Sequence, residues 1–402
     1  MALSAVAVAS AVGAVAAFVF QIVTARSLGT ADFGLLAAFF SIVNVAAIGS
    51  SAMQNSVAVE TAAAPRPDAT RTRRRIPTDA LVIGVGGGLV VAALAPWIAD
   101  ALGANPGIVL MAAGTIPLSF LFASFVGRIQ GSGRADVAVG WSTASLLLRV
   151  LFVAPLMALG VGVGGAAGAV LAATCLATIG AALAARSVPG PARTIFTLDG
   201  ATIVTITVAL AWLTSADVFF LRMLAPADIA GSYASVAVLV KAAFILPSTL
   251  SLYLLPRFAR NRGRSRLTWL GVGVSVLASA GVAVLLLGVF AVAGGPIINL
   301  LYGPAYARAA SLLVPVVAAY VPWIILQGLL IQLIADASRL AAISLSVAVI
   351  VQAVLFVWFL PDVAAALIAF GVLGCVLCVV LITVVVAKIN RSGRSVIDEQ
   401  SS

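Results

Sequence analysis

The sequence has very little charge for its length. Of 402 residues only 9% are Asp, Glu, Lys or Arg, against 63% hydrophobic, and the mean hydropathy is +1.20. A soluble domain is about 45–50% apolar and roughly 25% charged, so a water-dispersed globule is excluded and the bilayer becomes the expected solvent. Histidine is absent altogether, which removes histidine-based triads and most zinc sites. Cysteine is scarce. Cys375 and Cys378 form a C-x-x-C, but inside an apolar run where a thiolate is costly, and they read as small helix-packing residues. Long polar loops are missing too: the largest, around Pro65 to Asp79, is too short to house a catalytic domain. No enzyme activity, metal or cofactor is therefore expected.

What is present is a series of apolar runs of membrane-spanning length, about 20 residues each. They fall at 2–24, 33–59, 80–102, 107–126, 136–158, 166–185, 199–222, 229–256, 267–293, 307–334, 340–360 and 363–387. The first lacks a basic lead-in and reads as a span rather than a cleaved signal. The net charge of +10 lies in short clusters between the runs, such as Arg71, Arg73, Arg74 and Arg75, then Arg257, Arg260, Arg262, Arg264 and Arg266. That placement fits topology signals and contacts to anionic lipid, and argues against a nucleic-acid partner. With a cytoplasmic N-terminus, 18 of the 23 Lys and Arg fall inside and three (Arg26, Arg222, Arg308) outside. Both termini are thus expected inside.

One pattern recurs at about half the chain length. Arg26-Ser-Leu28-Gly-Thr-Ala31-Asp32 joins the first two runs, and Arg222-Met-Leu224-Ala-Pro-Ala227-Asp228 joins the seventh and eighth, 196 residues later. The shared R-x-L-x-x-A-D, with six spans between copies, predicts two six-helix bundles related by an axis along the membrane normal. The expected fold is an all-α integral membrane protein of about 12 transmembrane helices in two pseudo-symmetric six-helix bundles, over 1–195 and 196–390, with a tail at 391–402. The motif also has a plain structural role. Arg at a helix end and Asp at the next helix start each oppose a helix dipole, and Thr30 and Asp32 are candidate caps.

The same residues carry a family likeness. Ala25-Arg-Ser-Leu-Gly-Thr-Ala-Asp-Phe-Gly34 resembles the opening signature of bacterial polysaccharide flippases of the O-antigen and capsule type. Asp217, Ala227-Asp-Ile-Ala-Gly231-Ser-Tyr233, Leu254-Leu-Pro256-Arg257-Phe-Ala and Leu300-Leu-Tyr302-Gly303-Pro-Ala-Tyr306-Ala extend it through most of the chain. The resemblance, within the multidrug/oligosaccharidyl-lipid/polysaccharide exporter superfamily, implies a V-shaped bundle pair in the bacterial cytoplasmic membrane. Its implied activity is alternating access on undecaprenyl-diphosphate-linked glycans, with membrane lipids and polysaccharide assembly enzymes as partners. The chain departs from the pattern in showing no thirteenth or fourteenth span, which many lipid II flippases add, and no charged lead-in.

Ionisable groups inside spans cost about 2.5–3.5 kcal/mol on insertion scales unless they meet a partner or water. Lys241 and Arg149 are the clear cases, Arg149 sharing a helical face with Ser142 and Ser145. Ser41, Asn44, Ser51 and Asn55 form one polar stripe, and Thr207, Thr214 and Asp217 another. These stripes predict a water-filled cleft in which Lys241 and Arg149 attract a diphosphate or acidic sugar. The competing expectation is structural: Lys241 snorkels or pairs with Asp217, Asp217 partners Lys241 or Arg222, and the hydroxyls bond their own backbone. Two other functions stay open, a cation-coupled multidrug exporter of the same superfamily and a non-transporting scaffold for glycosyltransferases.

Overall fold

The computed structural model describes residues 2–63, 77–188, 198–241, 265–335 and 338–401, and every regular element among them is helical. Expectations falling on 64–76 and 242–264, including the clusters around Arg71 to Arg75 and Arg257 to Arg264, lie outside the described residues. The chain divides into two compact units, Met1–Thr197 and Leu198–Ser402. The first holds α1 (Ala2–Ala63), α2 (Thr78–Ala93), α3 (Ala95–Leu102), α4 (Pro106–Gly131), α5 (Ala135–Ala158) and α6 (Gly162–Ala184). The second holds α7 (Leu198–Leu213), α8 (Ala216–Leu224), α9 (Ala227–Lys241), α10 (Ser265–Tyr302), α11 (Ala307–Ala335), α12 (Arg339–Phe359) and α13 (Val363–Ser401).

Nine helices among the described residues are long and apolar enough to cross a membrane, and the bent pair α2–α3 makes a tenth. Their surfaces need lipid. α12 exposes Ile343, Val347, Ile350, Val354 and Val357, and α13 exposes Ile368, Val372, Val376 and Val379. Spaced three and four apart, these residues make continuous apolar faces far larger than a soluble protein leaves open to water. The protein is a multi-pass membrane protein.

The spans expected at 2–24 and 33–59 lie in one long helix, α1, interrupted at Gly29 (φ 73, ψ 178). Only glycine adopts that backbone geometry without strain. Elsewhere the expected spans are less regular than uniform apolar runs imply. The run 80–102 bends by 56° between α2 and α3, just ahead of Pro96, whose ring cannot continue a straight helix. The run 199–222 is broken at Thr214–Ser215 into α7 and α8. The run 166–185 starts earlier, at Gly162, after a turn in which Gly160 and Gly162 both have positive φ. Beyond 390, where a tail was expected, α13 continues as helix to Ser401.

Each unit is organised by one central helix, and the two are packed differently. In the first unit α4 lies against α1, α2, α3, α5 and α6. Its Gly127 and Gly131, four apart on one face, admit the backbone of α1: a Cβ at Gly127 would stand 2.6 Å from the Gln54 carbonyl oxygen, and one at Gly131 would strike that of Ala58. This is the small-x-x-x-small contact by which membrane helices gain van der Waals attraction where no hydrophobic effect separates helix from lipid. In the second unit α11 lies against α9, α10 and α13, and rings fill the core around it, reaching to α8 and α12. Trp323 stacks on Phe370 at 4.7 Å, Phe356 stacks on Phe220 at 5.6 Å, and Tyr320 meets the edge of Phe370 at 5.2 Å. Such pairs are each worth about 0.5–1.5 kcal/mol beyond the area they bury.

Candidate functional site

The second unit gathers its polar side chains around the break between α7 and α8. Interrupting a helix strips carbonyls of their partners, and within lipid each must be satisfied by protein. Here side chains from other helices do so. Gln352 of α12 donates its Nε2 to the Leu213 carbonyl at 2.8 Å, and the Tyr320 hydroxyl of α11 reaches the Thr214 carbonyl at 3.3 Å. Thr214 turns its own hydroxyl back to the Leu210 carbonyl at 2.8 Å. The Gln352 side chain is wholly buried, and its Oε1 has no hydrogen-bond partner among the described residues.

Just past the break, in the first turn of α8, stands Asp217, a placement the helix dipole favours. Its side chain is 0% exposed. The Tyr233 hydroxyl of α9 donates to its Oδ2 at 2.6 Å, the Tyr320 hydroxyl donates to the same oxygen, and Lys241 Nζ donates to Oδ1 at 3.1 Å. Lys241 differs from the tyrosines in keeping 26% of its side chain exposed. Its ammonium also lies 5.9 Å from the centre of the Tyr320 ring, within cation–π range. A buried carboxylate thus holds three donors, of which only the cation borders the surface.

Asp217 therefore pairs with Lys241, as one of the sequence expectations had it. The helical geometry explains why Arg222 is not the partner: five residues along α8, it points about 140° away. Asp228, the motif aspartate, pairs instead with Arg308 at the start of α11, both groups more than half exposed. Arg26 and Asp32 are exposed and Arg222 half-buried, either side of the breaks at Gly29 and Ala225.

The first unit carries the remaining candidates. Asn44, Ser51 and Asn55 are exposed along one face of α1. Ser41 departs from the stripe: it is buried, and its hydroxyl bonds the Ala37 carbonyl at 3.1 Å. At 100° per residue it lies some 40–80° around the helix from the other three, far enough to turn into the core. Ser51 also bonds its own helix, at the Ala47 carbonyl. On α5, Ser145 is buried, Ser142 bonds the Ala138 carbonyl at 3.1 Å, and Arg149 is half-buried. The Arg149 Nε is buried with no hydrogen-bond partner, and no carboxylate pairs with this guanidinium among the described residues.

Sequence reasoning missed the roles of Tyr320 and Gln352. Each is a polar side chain in a strongly apolar run, and that isolation was the available signal, because a polar group in lipid must find a partner.

No family model matches the chain, and no curated protein matches it by sequence. Its fold is nevertheless found among solved structures. The lipid II flippase MurJ in an inward closed conformation is similar with a TM-score of 0.72 at 12% identity, over 94% of this chain and 87% of that one. An inward-facing multidrug resistance MATE family transporter of the MOP superfamily is similar with a TM-score of 0.70 at 12% identity, over 95% and 96%. A MOP superfamily transporter from Pyrococcus furiosus follows at 0.59 and 13% identity, over 98% and 96%. At such identities the likeness speaks of fold: the chain has the all-helical fold of MOP-superfamily transporters.

Proposed function

We propose that this protein is a flippase that carries an undecaprenyl-diphosphate-linked oligosaccharide, a precursor of cell-surface polysaccharide, across the bacterial cytoplasmic membrane by alternating access. One observation carries the reading: among the described residues, the charge left over inside a span is positive. Asp217, a buried carboxylate within a span, is matched by Lys241, whereas Arg149 on α5 has no acidic partner among the described residues. An unmatched guanidinium in a membrane helix is costly until an anion reaches it, and planar bidentate recognition of phosphate is what arginine does best. The exposed amides Asn44 and Asn55 supply hydrogen bonds suited to sugar hydroxyls. The fold shared with MurJ supports a lipid-linked substrate.

The fold is equally that of a multidrug transporter, which supports a second reading, cation-coupled drug export. That reading needs an embedded carboxylate available to a cation, and Lys241 already occupies Asp217. A glycosyltransferase scaffold would move nothing.

The test is scrambling of a fluorescent undecaprenyl-diphosphate-linked oligosaccharide in proteoliposomes. Wild type moves it, and Arg149→Ala slows it about tenfold or more, the worth of one charge-assisted contact. Transport of a cationic drug in place of the lipid would replace this reading with drug export, and movement of neither would leave the scaffold. Equal rates in wild type and Arg149→Ala would remove Arg149 from the path.

A further inference from the structure

We infer that α1 measures the glycan: Asn44 binds the sugar next to the diphosphate and Asn55 a sugar farther along, so that this transporter selects a chain of sugars over a single one. The inference rests on the proposed function for the lipid-linked nature of the substrate. Its geometry comes from the first unit alone.

Exposed faces on the spans are of two kinds. α13 presents Ile368, Val372, Val376 and Val379, as a lipid-facing helix should. The second arm of α1, beyond the Gly29 break, does the opposite. Between Phe33 and Ala58 its exposed residues are Asn44, Ser51 and Asn55, and all three are polar. At 100° per residue they fall within about 40° of one another. Amides facing hydrocarbon would be costly, so this side of the helix is a wet one. Gln54, beside Asn55, spends its amide on Gln130 of α4, and Ser51 gives its proton to the Ala47 carbonyl, whereas Asn44 and Asn55 keep their amides on the exposed face. Each offers two donors and an acceptor, the complement of neighbouring sugar hydroxyls.

The packing of the unit fixes the depth of these groups. Gly127 and Gly131 of α4 lie against Gln54 and Ala58, so α4 and this arm of α1 run the same way. A short turn, Ser132 to Arg134, then reverses the chain and starts α5 at Ala135, level with Ala58. Fourteen residues up α5 from Ala135 is Arg149, and fourteen residues back along α1 from Ala58 is Asn44. At equal rise both stand about 21 Å from the turn. Asn55 lies eleven residues, about 16 Å, nearer to it. Toward Gly29 the same face carries Phe40 and Ala37, which have no hydrogen bond to offer from their side chains. The polar row therefore begins at the depth of Arg149 and runs in one direction only, toward the α4–α5 turn.

A single pyranose is too short to meet both amides. A glycan whose diphosphate is held at the depth of Arg149 meets Asn44 with its first sugar, and must extend along the helix to reach Asn55. Short heads are bound by one amide and longer ones by two.

The test compares scrambling of two fluorescent undecaprenyl-diphosphate lipids in proteoliposomes, one carrying a single sugar and the other a tetrasaccharide. Asn55→Ala should slow the tetrasaccharide lipid about fivefold more than the monosaccharide lipid, the worth of one hydrogen bond. Asn44→Ala should slow the two to a similar degree. Equal effects of Asn55→Ala on both lipids would overturn the inference and leave the flippase reading standing. A second readout needs no variant. Unlabelled lipids bearing one to five sugars compete for transport by wild type, and their potency should step up where the glycan first reaches Asn55. A flat series would overturn the inference as well. Movement of neither lipid by wild type would remove the flippase reading, and the inference with it.

Discussion

The two units reach stability by different means. In the first, the buried hydroxyls mostly answer to their own helices: Thr24 bonds the Phe20 carbonyl, Thr115 that of Met111 and Thr174 that of Val170. Helices there meet through bare backbone, as at Gly127 and Gly131. In the second, polar side chains bond across helices, from α9, α11 and α12 to the break between α7 and α8, within a shell of stacked rings. The first is held by shape and the second by a network. Shape tolerates an unmatched cation such as Arg149 nearby, because nothing in the packing depends on its charge. A network cannot lose a member without stranding the others.

Substitutions can break this contrast in order of expected effect. Asp217→Ala takes the partner from Lys241 and strands two fully buried tyrosine hydroxyls, and should cost about 3 kcal/mol, as breaking a largely buried ion pair does. Thermal unfolding in detergent measures it. Combining it with Lys241→Met should recover part of the loss, and strict additivity of the two changes would deny the network. Gly131→Leu drives a side chain into the Ala58 carbonyl of α1 and should cost about 1–3 kcal/mol, the usual penalty of overpacking. A neutral result there would mean that α1 and α4 part freely, and the contrast would fall. Arg308→Ala removes an ion pair that is more than half exposed on both sides, and the melting temperature should barely move, because such pairs contribute under about 1 kcal/mol. A large shift would place part of the network at the surface.

Much of the fold was legible because membrane spans are written in composition. Uniform apolar runs located the helices, and the repeated R-x-L-x-x-A-D marked a helix break in each copy, at Gly29 and at Ala225. The break at Thr214–Ser215 escaped notice for a physical reason. Thr and Ser sit comfortably in membrane helices, no Gly or Pro flags the spot, and what stabilises it is a glutamine and a tyrosine more than 100 residues away. The candidate site was legible as a list of polar residues and not as a set of partners. Helical spacing alone turns Arg222 away from Asp217, but bringing Lys241 to it took the packing of α9 on α8. The inward turn of Ser41 lay in an angular offset that a four-residue stripe does not resolve.

The two helix breaks occupy the same place in the repeated motif and turn with opposite backbone hand, Gly29 at φ 73 and Ala225 at φ −117. Open space surrounds Gly29, so a methyl group would meet no neighbour there. Its backbone alone demands glycine. At Ala225 the extended backbone is open to any residue, and the proline that follows holds the turn instead. One position of one motif is therefore constrained by its own dihedral in the first unit and by its neighbour in the second.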